Sequence, residues 1–252
     1  MQNRTLSAMY DDYDISNLPR GKKQDSLGAL YENYYTFILT DKNRFASFNF
    51  QTETNEPEQI FFNDVMRFHN IKNVKSVTQI DVPKTDLGGP PKTDSALLIN
   101  SLKEINTTIK QTSARAVSVS EFPAAAIVES LQIKNKEVIR LLHKHQFDAS
   151  AKNFSLEEKM FLKESLSSIK ANMVRWALTG SPHKESKDIR VANFSCCFKL
   201  DKNDNLKKYS LFTTEDCVKI ITSRSAGFGT GLSWTYATGT KGKKIQFKAP
   251  VL

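Results

Sequence analysis

Asp86–Glu121, DLGGPPKTDSALLINSLKEINTTIKQTSARAVSVSE, is the stretch around which the rest of the chain is organised. Gly88-Gly89 and Pro90-Pro91 punctuate a turn: the glycines allow a close backbone approach, and the prolines stiffen the route to Asp94. Ala96-Leu97-Leu98-Ile99 then reads as an apolar strand, and after a polar turn Ile105 to Ile109 reads as a second one that ends in Lys110. An acid and a lysine thus fall on neighbouring strands, the order in which many divalent-metal nucleases carry their chemistry. A plain hairpin with a solvated edge produces the same letters. Beyond Lys110, Ala116 to Ser120 alternates, with Val117 and Val119 on one face and Ser118 and Ser120 on the other. One face belongs to a core and the other can meet a partner.

Towards the N-terminus, Val74, Val77, Ile80 and Val82 recur with period two and predict a strand leading into the turn. Ile60, Phe61, Val65, Met66 and Phe68 predict a short helix, behind a polar, irregular stretch from Asp41 to Glu58. Leu27, Leu30, Tyr31, Tyr34, Tyr35 and Ile38 recur at helical spacing behind a cap at Asp25 or Ser26, and a further short helix is expected over Leu6 to Tyr13. Glu32 lies beside that apolar stripe, either as a solvated acid or as a half-buried one able to serve a metal.

Towards the C-terminus, Pro123 opens an amphipathic helix over Ala124 to Gln146, and Ser155 with Glu158 forms a capping box for a long helix to about Leu178. Strand-like runs, Asp188 to Leu200 and Leu206 to Phe212, flank a polar turn, and Thr213 or Thr214 caps a short helix to Ser223. No linker divides the 252 residues, so the chain reads as a single α/β domain, residues 1–252, with 224–252 a basic C-terminal segment.

The formal charge of +9 favours a polyanionic partner, nucleic acid first. Anionic membrane is the rival, but no basic stretch has the apolar face an interfacial helix needs, and no apolar run is long enough to span a bilayer or serve as a signal core. A cytoplasmic protein without a membrane partner is expected. Cys196, Cys197 and Cys217 suit neither a disulfide framework nor a spaced zinc knuckle and read as buried thiols, while His143 and His145 read as a solvated helix end. Gly227, Gly229 and Gly231 do not match a nucleotide-binding loop. No acidic residue follows Asp216, and Lys241, Lys243, Lys244 and Lys248 surround Thr235, Thr238 and Gln246. Such a segment offers cations to phosphates and hydroxyl and amide groups to base edges, or else it is a Lys-protected edge hairpin.

Several islands, in order along the chain, carry a resemblance: LGALYENY (Leu27 to Tyr34), TDLGG and PKTD (Thr85 to Asp94), Ile109-Lys110 with VSVSEF, IRLLHKHQFDASAKNF (Ile139 to Phe154), VRWALT, and GFGTGLSWTYATGTKGKKIQFK (Gly227 to Lys248). On these the chain resembles the MspI-like type II restriction endonucleases of the PD-(D/E)XK nuclease superfamily. The resemblance implies a mixed central β-sheet flanked by helices and Mg²⁺-dependent cleavage of double-stranded DNA. It also implies CCGG as target word, engagement of DNA as a monomer, a cognate DNA methyltransferase, and a prokaryotic cytoplasm. It places the metal-binding Asp on Asp94 and the catalytic lysine on Lys110. Thr108 stands where the family carries Asn, which leaves three readings open. Asn106, on the same strand face, takes the ligand role; or Thr108 holds a metal-bound water while Glu32 or Glu121 supports the ion; or the metal site is weakened or lost, leaving a non-catalytic DNA-binding protein. Base contacts are implied for Ser118, Thr235, Thr238, Gln246 and Lys248, and Lys241, Lys243 and Lys244 fit backbone contacts.

Overall fold

The structure, a computed structural model, describes residues 18–85 and 91–250. The expected helix at Leu6 to Tyr13 and the Gly88-Gly89-Pro90 part of the turn lie outside the described residues. The strands are β1 (Val77–Ile80), β2 (Ser95–Ile99), β3 (Lys103–Thr112), β4 (Ala116–Phe122), β5 (Phe194–Leu200), β6 (Leu206–Thr213), β7 (Ser233–Thr235) and β8 (Ile245–Pro250). They form two sheets, one ordered β1-β2-β3-β5-β6 and the other β4-β8-β7. In the first, β3 and β5 run parallel while the other neighbours are antiparallel, so the sheet is mixed as expected.

Three helices cover one face of the first sheet: α1 (Arg20–Thr40), α2 (Asn43–Asn49) and α3 (Pro57–Phe68). The helical repeat from Leu27 to Ile38 is buried throughout and packs with Phe61, Phe62, Ile105, Ile109 and Phe198. Each such large apolar side chain contributes roughly 1.5–3 kcal/mol by leaving water. Helix α1 starts five residues before the expected Asp25, because Pro19 ends the extended approach and the Arg20–Gln24 turn has no helix breaker but a surface glycine. Helix α2 was invisible as a pattern: Phe45 and Phe48 are its two buried apolar side chains in a polar stretch, and Arg44 and Asn49 hold it through polar bonds to Glu56 and the Val74 backbone.

The second sheet has its own core, in which Val119, Phe247 and Ala249 meet Ile127, Leu141, Leu142, Leu162, Met173 and Ile221 from the C-terminal helices. Those helices are shorter than their periodicity predicted. The first amphipathic run splits into α4 (Ala124–Ser130) and α5 (Lys136–Asp148), since Gln132 turns left-handed and the Asn135 side chain caps the amides of Glu137 and Val138. The second splits at Ile169 into α6 (Leu156–Ser167), which has the expected capping box at Ser155 and Glu158, and α7 (Lys170–Thr179), closed by Gly180 at φ +82°. Thr213 caps α8 (Thr214–Thr222), as its sequence indicated. The strand expected from Asp188 begins only at Phe194.

The structure also corrects the histidine reading. His145 is buried against Phe154, Phe228 and Trp234 rather than solvated. The three cysteines are buried free thiols. Among the described residues, no helix is long and apolar enough to cross a membrane.

Candidate active site

Strand β2 begins at Ser95, so Asp94 stands one residue outside it, with its amide still bonded to the Thr107 carbonyl of β3. That position puts Asp94 opposite Thr108, next to an Ile109 amide that the β2 ladder no longer uses. One carboxylate oxygen, Oδ2, accepts from the Ile109 amide at 2.6 Å, the Thr108 hydroxyl at 2.9 Å and the Lys110 ammonium at 2.7 Å. Hydrogen bonds to a charged group are worth roughly 1.5–3 kcal/mol each, so this carboxylate is held in one orientation. The Lys110 ammonium also donates to the Ile109 carbonyl at 2.9 Å. The acid and the lysine, sixteen residues apart in sequence, are thus in direct contact at a partly open site.

Glu32 reaches the same place from α1. It lines a cavity of about 320 Å³ with Asp94, Thr93, Ser95 and Asp81. Burial, and next the Asp94 charge, push the Glu32 carboxyl up to about 7, while the Lys110 ammonium pulls the other way. The hydroxyls of Tyr35 and Thr36 fix α1 to the strands, bonding Thr107 at 3.1 Å and Ser95 at 3.0 Å. Glu32 and Asp94, two of the three carboxylates that line this cavity, are hard oxygen donors whose mutual repulsion a divalent cation would relieve. No cluster of three or more His, Cys, Asp or Glu poised for a metal occurs among the described residues. A pair of carboxylates fits Mg²⁺, which keeps several waters and is commonly bound through one or two carboxylates plus substrate phosphates.

The other readings of the ligand set separate on geometry. The Thr108 hydroxyl is spent as a donor that orients Asp94. Asn106 lies two residues along the same strand face; its amide nitrogen donates to Glu104 at 2.7 Å, and its buried Oδ1 has no partner, so it offers a free acceptor. Glu121 is corrected: it does not share the Asp94 cavity, and its two oxygens accept from Gln246 Nε2 at 2.7 Å and Thr240 Oγ1 at 3.0 Å. One residue escaped notice in the sequence although it stands in the PKTD motif. Lys92 is largely buried, its Nζ donates to the Val119 carbonyl at 3.0 Å, and burial followed by the nearby Lys110 charge lowers it to about 8.

The second sheet presents a polar face beside this site. Phe247 and Ala249 of β8 point into the core, so Gln246 and Lys248 point the other way. Ser118 and Ser233 flank Lys248, and Glu121 and Thr235 flank Gln246. Four of the five residues assigned to base contacts therefore share one face, and Thr238 sits exposed in the adjoining Thr238–Thr240 turn. Strand β8 is the middle strand, so the Lys-rich segment is not an edge hairpin. Lys241, Lys243 and Lys244 form an exposed turn that leads into it. A β-bulge between Ser118 and Ser120 breaks the expected alternation: Ser120 now pairs with Phe247 and is buried, and Glu121 takes its place on the polar face.

A mixed sheet with Asp94 and Lys110 on adjacent strands, an acid from the covering helix and a polar, cationic second sheet define a restriction-endonuclease-like nuclease. The family model described as "Restriction endonuclease MspI" matches residues 14–249. The type II restriction enzyme MspI of Moraxella sp. is 31% identical over 98% of this chain and 100% of its own length. The crystal structure of restriction endonuclease MspI in complex with its cognate DNA superposes with a TM-score of 0.83 at 30% identity, covering 99% of this chain and 100% of that one. The chain belongs to the MspI family of type II restriction endonucleases.

Proposed function

We propose that this enzyme cuts double-stranded DNA at CCGG, with Asp94, Glu32 and Lys110 at the chemical centre and the face of the second sheet reading the bases. Mg²⁺ is the metal this reading assigns to the site; when bound, it supplies charge neutralisation at the phosphate and a more acidic water. Asp94 and Glu32 would hold the ion, and Thr108 together with the Ile109 amide keeps the Asp94 carboxylate turned. Lys110 donates from Nζ, which on DNA binding is placed to orient the attacking water and to stabilise charge on a phosphate oxygen. Thr108 in the family's Asn position thus leaves the site a role for each residue present.

Ser118, Thr235, Thr238, Gln246 and Lys248 are assigned to base edges, and Lys241, Lys243 and Lys244 to phosphates. A lysine ammonium suits guanine O6 and N7, in keeping with a G·C target. The whole chain acts as one unit on its duplex, as a monomer, with residues 224–252 as its reading segment. A DNA methyltransferase of the same specificity would protect the host.

The observation that carries the reading is the Asp94 carboxylate held between Lys110 and β3 beside the cavity it shares with Glu32. Digestion of a fully sequenced plasmid with Mg²⁺ tests it: fragment ends at every CCGG are expected. Ends at another word would overturn the target assignment, and retarded but uncut DNA would overturn the assignment of the catalytic set.

A further inference from the structure

Gln is an ambiguous reader of DNA, because its amide carries a donor at one end and an acceptor at the other. In this structure the ambiguity is removed from behind. Glu121 Oε1 lies 2.7 Å from Gln246 Nε2 in the neighbouring strand. A carboxylate has no hydrogen to give, so the amide nitrogen must face it, and reversing the amide would set oxygen against oxygen. The other Glu121 oxygen holds the Thr240 hydroxyl at 3.0 Å, at the end of the Thr238–Thr240 turn. No side chain among the described residues donates to Gln246 Oε1. The bulge in β4 is what brings this carboxylate onto the reading face.

We propose that Glu121 is a specificity-positioning residue, locking Gln246 so that its carbonyl oxygen faces the DNA and accepts from a base amino group. Within the CCGG reading, on which this inference rests, the amino group is cytosine N4. The same carboxylate anchors the turn that carries Thr238, so one half-buried acid sets two reading elements. A thymine in place of that cytosine offers a carbonyl oxygen instead of an amino group, and the locked amide is repelled by it.

The test compares the wild type, Glu121→Gln, Gln246→Ala and the double variant on a CCGG duplex and on duplexes with a C·G to T·A change at each cytosine in turn. Glu121→Gln keeps the size and either hydrogen-bonding sense, so it frees Gln246 to reverse. The expected result is a loss of discrimination against T·A of roughly tenfold or more in kcat/KM at one position, with the ratios at other positions kept. Gln246→Ala should lose discrimination at the same position, and Glu121→Gln should add nothing there in that background. A uniform fall in rate with every ratio unchanged, or the same change with and without Gln246, would overturn the proposal. Competition binding without metal gives the ratios independently of cleavage. If the wild type prefers another word, the CCGG assignment alone fails and the same substitutions are made in that word, where a single position dependent on Gln246 is again expected. A wild type with no sequence preference would overturn both.

Discussion

The two sheets treat their polar groups in opposite ways. At the first, the functional side chains are bound to one another: Asp94 to Thr108, Ile109 and Lys110, and α1 to the strands through Tyr35 and Thr36. At the second, the outward side chains of Ser118 and Lys248 have no side-chain partner or ion pair among the described residues, while Gln246 is fixed by Glu121. Hydrolysis requires reacting groups held to a fraction of an ångström, so the first sheet spends its hydrogen bonds internally. Reading bases, the role proposed for the second sheet, requires donors and acceptors left over for the DNA, and its Ser118 and Lys248 side chains keep theirs. Lys92 joins the two regions. Two residues before Asp94, it satisfies the carbonyl of Val119, the residue the β4 bulge leaves without a cross-strand partner.

This contrast can be broken by mutation. The largest effect is expected from Lys110→Ala, which should abolish cleavage, a fall on the order of 10²–10³ or more, while specific binding measured by gel shift stays within a few-fold. An equal loss of binding would remove the separation between the regions. Next is Glu32→Gln, which should raise the Mg²⁺ concentration for half-maximal cleavage by roughly 10–100-fold and weaken metal binding in calorimetry, without altering the ratio of CCGG to random binding. At the second sheet the pattern reverses. Lys248→Ala should weaken CCGG binding by about 1–3 kcal/mol and random binding much less. Lys243→Ala should weaken both alike and lower the salt slope by about one. A Lys248 variant that loses both equally would be a phosphate contact instead.

The smallest effect concerns acid stability, where the two regions should behave alike. Burial lowers His69, beside the first core, and His145, in the second, each from 6.5 to about 4. A base whose folded value is depressed stays neutral in the native state but takes up its proton when unfolded. The stability it confers is therefore full above 6.5 and is lost as pH falls towards about 4. Melting temperatures should drop across that window, and His145→Phe should flatten part of the drop. An unchanged profile would mean that His145 is protonated in the fold.

Periodicity was a good guide wherever one face of an element was buried. The α1 stripe, the β2 and β3 runs and the Ser155 capping box were all legible because apolar spacing and end chemistry are local. It failed where a local break interrupts a continuous apolar pattern, as at Gln132 and Ile169, since the same stripe continues on both sides of the kink. At the site, Asp94 and Lys110 could be paired from strand order, and Glu32 could be named but not placed. Lys92 gave no signal beyond its neighbours, and Glu121 was named for the metal rather than for the Gln246 amide it holds, because the bulge that turns it onto the polar face leaves no mark in the alternation.

The sequence by itself determined the strand order that carries the acid and the lysine, the cationic C-terminus and membership of a nuclease family. Those depend on neighbours along the chain and on composition, both of which are written in the letters. The tertiary structure alone decided that Glu32 rather than Glu121 joins Asp94, that β8 lies in the middle of a second sheet, and that a one-residue bulge turns Glu121 onto Gln246. Register and sheet order arise from contacts between residues far apart in sequence, and one extra residue in a strand exchanges its faces without leaving any mark in the pattern.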